Sequence, residues 1–419
     1  MKKRRLRTNA GQAHQVSDVQ LLAGGEQYFA ALVRAIESAQ VSVAMETYIF
    51  DFHGVGEKVA IALAQAAERG VAVRLMVDGV GTRQVPAQWR EDWAKAGVDM
   101  VQFSPLGGLG LLIPSRWRRL HRKLCVVDGQ QAFCGGINIL DDWFDPNHGA
   151  LEEPRYDFAV AVQGPMVEPI SHSMDVLWRR TKAVRSVKNL GHKTLEGARD
   201  ALIVLARSAS PADDKLHFPF KGSRGAGFLF LLRDNVRNRR SIERSYLSAI
   251  AGARHDVTLA NAYFLPGQPL RTALERAARR GVRVRILLQG RREYYMQFHA
   301  ERVVYGSLLQ SGVEIYEYTP SFLHAKVGVV DADTTHSWMT VGSSNLDPLS
   351  LLLAREANVV ALCSPLSGQL LADLEQAMQN KSIRVALNEY ANRPWIERVF
   401  GWGAYGLMRA ALFVTGKRY

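Results

Sequence analysis

The 419 residues are 47% hydrophobic and 22% charged, which excludes a disordered chain and leaves room for two fused domains. The formal net charge of +13 points to an anionic partner, either nucleic acid or an anionic membrane. Cys125, Cys134 and Cys363 lack metal-ligand spacing and read as buried thiols in a reducing compartment, which argues against a disulfide framework.

The chain opens on Met1-Lys2-Lys3-Arg4-Arg5-Leu6-Arg7, with no apolar core behind it, so it does not read as a signal peptide. Residues 1–20 are expected to be a basic tail that meets acidic lipid headgroups. An amphipathic stretch runs from Gly25 to Ala39, and a strand from Val41 to Met45 ends at Glu46-Thr47-Tyr48. A helix over Gly56 to Arg69 is stopped by Gly70, and the strand Val71 to Val77 closes at Asp78-Gly79. This β-α-β order predicts a parallel pair with a crossover helix. After Ala96-Gly97-Val98 and the strand Asp99 to Phe103 comes an apolar run, Leu106 to Ile113. It is too short to span a bilayer. With Arg116-Trp117-Arg118-Arg119 behind it, it reads as either a buried turn or a loop dipping into lipid.

His121, Lys123 and Asp128 follow with the spacing His-x-Lys-x4-Asp, and Gly135-Gly136-Ile137-Asn138 comes next. On a strand, alternate residues share a face, so His121 and Lys123 point one way. Asp128, an odd number of residues from both, points the other way and reads as a turn stabiliser, although Asp128 and its repeat Asp331 are kept among the candidate catalytic residues as members of the motif. Asp157 lies downstream, at the start of the strand Phe158 to Val162. The basic stretch from Trp178 to His192 lacks clear periodicity, and residues 181–220 are expected to be a linker.

The second half repeats the first at a distance of about 200 residues. A helix over Ile242 to Gly252 precedes the strand Asp256 to Ala260, which ends at Asn261-Ala262-Tyr263. A helix over Leu270 to Arg280 is stopped by Gly281, and the strand Val282 to Leu288 follows. Ser311-Gly312-Val313 and the strand Glu314 to Tyr318 lead to His324, Lys326 and Asp331, then to Gly342-Ser343-Ser344-Asn345. Glu356 occupies the place of Asp157. The expected division is 1–20, 21–180, 181–220, 221–385 and 386–419, with one site between two repeated α/β/α sandwich domains. In the last segment, Pro394 to Val414 is rich in Trp, Tyr and Gly and is interrupted by Glu397, Arg398 and Arg409. That suits an interfacial segment better than a span or a core helix.

A phosphodiester resists attack by its charge, so a site must neutralise its oxygens, supply a nucleophile and protonate the leaving alcohol. Lys123, Lys326, Asn138 and Asn345 suit the first task, and His121 and His324 divide the others. A histidine nucleophile needs its other ring nitrogen held, and Asp157 and Glu356 are the candidates. No metal or other cofactor is implied, because the lysines supply the charge.

The doubled motif resembles the phospholipase D superfamily. Glu46 to Tyr48, Asn261 to Phe264 and Gly342 to Ser350 resemble the bacterial cardiolipin synthases, in particular their shorter type B. The resemblance implies transfer of a phosphatidyl group between two phosphatidylglycerol molecules, releasing glycerol through a phosphatidyl-histidine. It also implies attachment to the cytoplasmic side of the inner membrane. Gly136 departs from the serine common at that place, so the halves are not expected to contribute equally. Headgroup exchange or hydrolysis of the phospholipase D type, and a nuclease of the same superfamily, are the alternatives. The net charge suits a nuclease, but the apolar run and the aromatic tail do not. A non-catalytic membrane-binding protein is a third reading, which the two complete motifs argue against.

Overall fold

The computed structural model describes residues 17–105, 117–190, 227–234, 238–293, 295–395 and 399–406. The first half begins with strand β1 (Asp18–Ala23), helix α1 (Gly24–Ser38), β2 (Ser42–Thr47), α2 (Val55–Glu68), β3 (Ala72–Asp78), α3 (Ala87–Ala96) and β4 (Asp99–Phe103). It continues through β5 (Arg119–Leu120), β6 (Lys123–Val127), β7 (Gln131–Gly135), β8 (Phe144–Asp145), β9 (Gly149–Ala150), β10 (Phe158–Gln163) and α4 (Val167–Leu190). Its seven-stranded sheet has the order β1-β10-β7-β6-β2-β3-β4. The β2, β3 and β4 neighbours are parallel and the rest antiparallel.

The second half consists of β11 (Gly227–Arg233), α5 (Ser241–Gly252), β12 (Asp256–Asn261), α6 (Gln268–Arg279), β13 (Arg283–Gln289), α7 (Tyr295–Glu301), α8 (Tyr305–Gln310) and β14 (Glu314–Tyr318). Then come β15 (Lys326–Val330), β16 (Trp338–Gly342), α9 (Pro348–Leu352), β17 (Ala354–Leu362), α10 (Leu366–Asn380), β18 (Ser382–Arg384) and α11 (Leu387–Ala391). The strand order β11-β17-β16-β15-β12-β13-β14 repeats the first sheet, with β18 added at the edge. The crossover helices stop where the sequence predicts. Gly70 and Gly281 both take φ of +89°, a backbone that side-chain-bearing residues avoid.

Each sheet buries both faces, because its central strands are apolar throughout. One face of the first sheet packs on α1, α2 and α3 through residues such as Leu32, Leu63 and Trp93. The matching face of the second packs on α5 and α6 through Tyr246, Ile250 and Leu274. The remaining faces share one core. Leu124, Val126, Phe158 and Val160 meet Val327, Val329, Val341 and Val359, with Ile170 of α4 and Leu370 of α10 filling its ends. The halves are therefore fused through a common interior.

Three stretches differ from the sequence reading. Strand β1 begins inside the expected tail, and its repeat counterpart β11 was not foreseen. Each is a short edge strand recruited by pairing with β10 or β17, so local pattern carries little of its signal. Helix α4 runs on to Leu190, ten residues into the expected linker. It stays with the first half because Lys182 pairs with Asp99 and Arg185 donates to the Gln102 carbonyl. The expected contacts within residues 1–16, 106–116 and 191–220, and the last part of the tail, lie outside the described residues.

Among the described residues, backbone hydrogen bonds join the two halves at two places. β5 pairs in parallel with the start of β17, matching Arg119 to Ala354 and Leu120 to Arg355, and the His121 amide donates to the Arg355 carbonyl. Reciprocally, the Tyr156 amide donates to Phe322 and the His324 amide to Tyr156. Each motif histidine is thus laced to the residue that precedes the other half's carboxylate.

Candidate active site

That lacing decides which side chains meet. His121 Nδ1 lies 3.1 Å from Oε2 of Glu356 and 3.0 Å from Oε1. His324 Nδ1 lies 2.7 Å from Oδ2 of Asp157. Each carboxylate therefore holds the ring of the opposite half, a crossing that spacing along the chain does not reveal. Glu356 and Asp157 are 0% and 5% exposed, while the imidazoles keep 15% and 20% of their surface open. The rings thus face a cleft with their anchors buried behind them.

Lys123 and Lys326 start β6 and β15 and are 3% and 0% exposed. Each ammonium donates to the backbone carbonyl of its own motif histidine, 2.6 Å for Lys123 to His121, and likewise from Lys326 to His324. Burial pulls Lys123 down to about 7 and Lys326 to about 8, partly opposed by the carboxylates. Burial likewise lowers both histidines, His324 well below its ordinary value, with Lys326 the next cause. A cleft that holds two desolvated lysines is short of negative charge and is built to receive an anion. Asn138 and Asn345 lie at the ends of the following strands. The Asn138 Oδ1 accepts the Ile49 amide at 3.2 Å, and the buried Asn345 Oδ1 has no hydrogen-bond partner among the described residues.

The two carboxylates are not equivalent. Ser343 Oγ donates to Glu356 at 2.5 Å. The corresponding Gly136 has no hydroxyl to offer Asp157, and a Cβ there would meet Asp157 Oδ1 at 2.3 Å. The shorter aspartate has moved into the space a serine would fill. Burial then pushes Asp157 up to about 7 against the pull of Lys326. A second difference lies below the first motif. Arg122 donates to Glu46 through Nε and, at 2.8 Å, through Nη2 in a buried ion pair, where the second half has the apolar Ala325 and Ala260.

Asp128 and Asp331, grouped with the motif residues in the sequence, do not enter the cleft. They sit at the far ends of β6 and β15, about 16 Å along the strand from the lysines. Both have positive φ, 52° and 49°. Asp128 accepts the amides of Gln40, Val41 and Ser42, and Asp331 those of Arg254, His255 and Asp256, all within 3.0 Å. They tie the strand end to the turn before β2 or β12, as the parity of the spacing suggests, and a place among the reacting groups is withdrawn.

Residues outside the candidate site set of the sequence also reach the cleft. The Tyr48 ring lies 5.0 Å from the His121 ring, with Lys123 5.5 Å from its centre. Tyr263 is not its repeat equivalent. The bridges Phe50 to Ile139 and Phe264 to Leu346 align Tyr48 with Ala262 and Ile49 with Tyr263. Tyr263 instead donates to Glu293 Oε2 at 2.7 Å. Glu293 acts electrostatically on Lys326, Arg155 and Asp145, so it faces the cleft from the second half while the β8–β9 hairpin faces it from the first. Glu293 was foreseeable only as a lone acid in the basic run after a parallel strand. Exposed aromatics flank the same mouth, Trp143 and Phe144 beside Asp145 and Tyr295 beside Glu293. Tyr295 packs on Phe400 of the helical residues 399–406, near exposed Trp395 and Trp402. Among the described residues no helix is long and apolar enough to cross a membrane, and no cluster suits a metal ion.

The family model described as cardiolipin synthase, PLD-like domain, matches residues 32–151 and 246–378, once in each half. Cardiolipin synthase B of Escherichia coli (strain K12) is 35% identical over 366 residues, covering 85% of this chain and 81% of that one. A cardiolipin synthase of Halalkalibacterium halodurans is 28% identical over 386 residues, 91% of this chain and 70% of that one. Among solved structures, phosphatidylserine synthase of Haemophilus influenzae superposes with a TM-score of 0.68 at 12% identity, covering 95% and 94% of the two chains. Polyphosphate kinase of Porphyromonas gingivalis gives 0.52 at 13% identity, covering 88% of this chain and 49% of that one. The last two likenesses concern the fold alone.

Proposed function

The chain belongs to the cardiolipin synthase family of phospholipase D-like proteins, and from that premise we propose that it is a phosphatidyltransferase that makes cardiolipin from two molecules of phosphatidylglycerol. The observation that carries this reading is the crossed pair of carboxylate-held histidines beside two buried lysines. Lys123 and Lys326 hold the phosphoryl oxygens, with Asn138 and Asn345 beside them. His121, its Nδ1–H donated to Glu356, attacks phosphorus through Nε2. The P–N bond forms, the P–O bond to glycerol breaks, and the departing oxygen takes a proton through His324. The hydroxyl of a second phosphatidylglycerol then gives its proton to His324 and attacks phosphorus. The P–N bond breaks, and cardiolipin leaves.

The unequal carboxylates support this division of labour. Glu356 accepts from Ser343 Oγ and from the His121 Nδ1–H, which fixes the tautomer that leaves the lone pair on Nε2, and burial lowers His121 toward the neutral ring. Asp157 lacks that hydroxyl and is pushed up to about 7, so the Asp157–His324 pair retains a proton to deliver. The exposed aromatics around the mouth, with the net charge of +13, support a peripheral seat on the cytoplasmic face of the inner membrane with the cleft turned to lipid.

The test is incubation of the purified protein with phosphatidylglycerol vesicles, followed by lipid chromatography and acid-free trapping of the labelled enzyme. Cardiolipin, glycerol and a phospholipid adduct on a His121 peptide are expected, with turnover lost in both His121→Ala and His324→Ala. Absence of cardiolipin from wild-type protein overturns the transferase reading, and a label on His324 overturns the assignment of roles.

A further inference from the structure

An acid beside a phosphate site is costly. A carboxylate within electrostatic reach of Lys326 repels the anion that Lys326 exists to hold. Glu293 nevertheless sits there, with its carboxylate fixed by the Tyr263 hydroxyl at 2.7 Å. Both residues are half-buried, so neither is sealed off from a ligand. Asn261 pairs directly with Lys326 across β12 and β15. Tyr263 lies two residues beyond the end of β12 and packs against the core shared by the two halves.

Among the described residues the first half has nothing similar. Gly79 and Gly290 both donate to the last carbonyl of the neighbouring parallel strand, Phe103 or Tyr318, which aligns Thr82 with Glu293. The Thr82 hydroxyl is used up within the protein, accepting the Phe50 amide and donating to the Tyr48 carbonyl. The phenol and carboxylate are therefore an addition to one side of a pseudo-symmetric site. They lie on the side of His324 and Lys326, where the proton passes to and from the alcohol. In the first half Arg155 pairs with Asp145 at 2.6 Å, and its buried Nε has no partner among the described residues. Arg155 lies within electrostatic reach of the acceptor Glu293.

We propose that Tyr263 and Glu293 form the subsite for the glycerol headgroup of the acceptor lipid, binding it through its free hydroxyls. This rests on the phosphatidyl-transfer reading above. A phosphoryl-bound glycerol carries a secondary and a primary hydroxyl. The Glu293 carboxylate accepts the proton of the secondary one, and the Tyr263 hydroxyl, which donates to Glu293, holds that carboxylate in place for it. The primary hydroxyl is left to reach His324 and phosphorus. A site that hydrogen-bonds a polyol disfavours an alcohol without the second hydroxyl, because its buried polar groups are then unpaired.

The test uses wild type, Glu293→Gln and Tyr263→Phe with phosphatidylglycerol vesicles and ethanol present together. Cardiolipin and phosphatidylethanol are quantified by mass spectrometry. Both products arise from the same covalent intermediate, so their ratio reports acceptor choice and is blind to the first step. The ratio of cardiolipin to phosphatidylethanol is expected to fall by about tenfold or more in either variant. A wild-type ratio in the variants, even with both products reduced equally, overturns the proposal. Thermal unfolding checks that each variant is folded, and Tyr263→Phe, which removes one oxygen, carries the test if Glu293→Gln fails to fold. If wild type makes neither product, the transfer reading itself has failed, and that outcome is distinct from an unchanged ratio.

Discussion

Lys123 and Lys326 carry a charge that burial makes unfavourable, and the sign of their pH dependence follows from that. Burial brings Lys123 to about 7 and Lys326 to about 8, against about 10.4 in the unfolded chain. Between those limits the unfolded chain binds more protons than the folded one, so these groups make stability rise with pH. Below about 7 both lysines are charged and their cost is fully present. A bound dianion reverses the effect, since it favours the charged forms. Sulfate should therefore raise Tm at about pH 6, and the increment should shrink toward zero by about pH 9, where the lysines are neutral. Scanning calorimetry with and without sulfate measures this. An increment constant across that range would mean that sulfate binds elsewhere. At this scale the sequence was informative about residue type and silent about partnership. It placed Asp157 and Glu356 near histidines, but which carboxylate meets which ring depends on a contact between halves. The offset between Tyr48 and Tyr263 was hidden for a related reason. Identical letters at similar strand ends invite alignment, and only the pairing register shows the one-residue slip.

Among the elements, the two-residue strand β5 has an effect out of proportion to its length. It carries His121 to the second sheet, and its seat is built by Asp78. That carboxylate accepts the Leu120 amide at 2.8 Å, pairs with Arg119 at 3.1 Å and accepts the Val80 and Gly81 amides. Asp78 is fully buried, so Asp78→Ala leaves these donors and a largely buried guanidinium without their acceptor. The expected loss is about 3–5 kcal/mol of stability by urea denaturation. Turnover should fall steeply through displacement of His121 even under conditions where the variant is folded. Wild-type activity in a folded Asp78→Ala protein would show that β5 does not position the ring. Sequence flagged Asp78-Gly79 as the end of a strand and gave no hint of this second use. The long, strongly patterned elements were readable because burial on both faces leaves an unbroken apolar run, as in β6 and β15. The edge strands β1 and β11, and the part-exposed basic face of α4, were not, because their signal lies in what they pack against.

For the whole molecule, the duplication was legible because the motif recurs with its glycines and asparagine. The fusion of the halves through one core was not, since no local pattern says which apolar faces will meet. The remaining large-scale feature is the relation of charge to exposed aromatic surface. A net charge of +13 attracts an anionic bilayer, and Trp143, Phe144, Trp395 and Trp402 are more than half or about half exposed around the mouth and the neighbouring helical tail. The two contributions respond differently to salt. The Debye length falls from about 10 Å at 0.1 M to about 3 Å at 1 M, which removes most of the electrostatic attraction and leaves aromatic insertion intact. Sedimentation with phosphatidylglycerol vesicles should therefore show binding that weakens steeply with salt and levels off at a residual value. Trp143→Ala combined with Phe144→Ala should weaken binding about tenfold at low salt, through lost apolar burial, and should abolish the high-salt residue. Binding that ignores both salt and vesicle charge would contradict the peripheral seat. An unchanged residue in the double variant would move the inserted surface away from the β8–β9 hairpin and onto the tail alone.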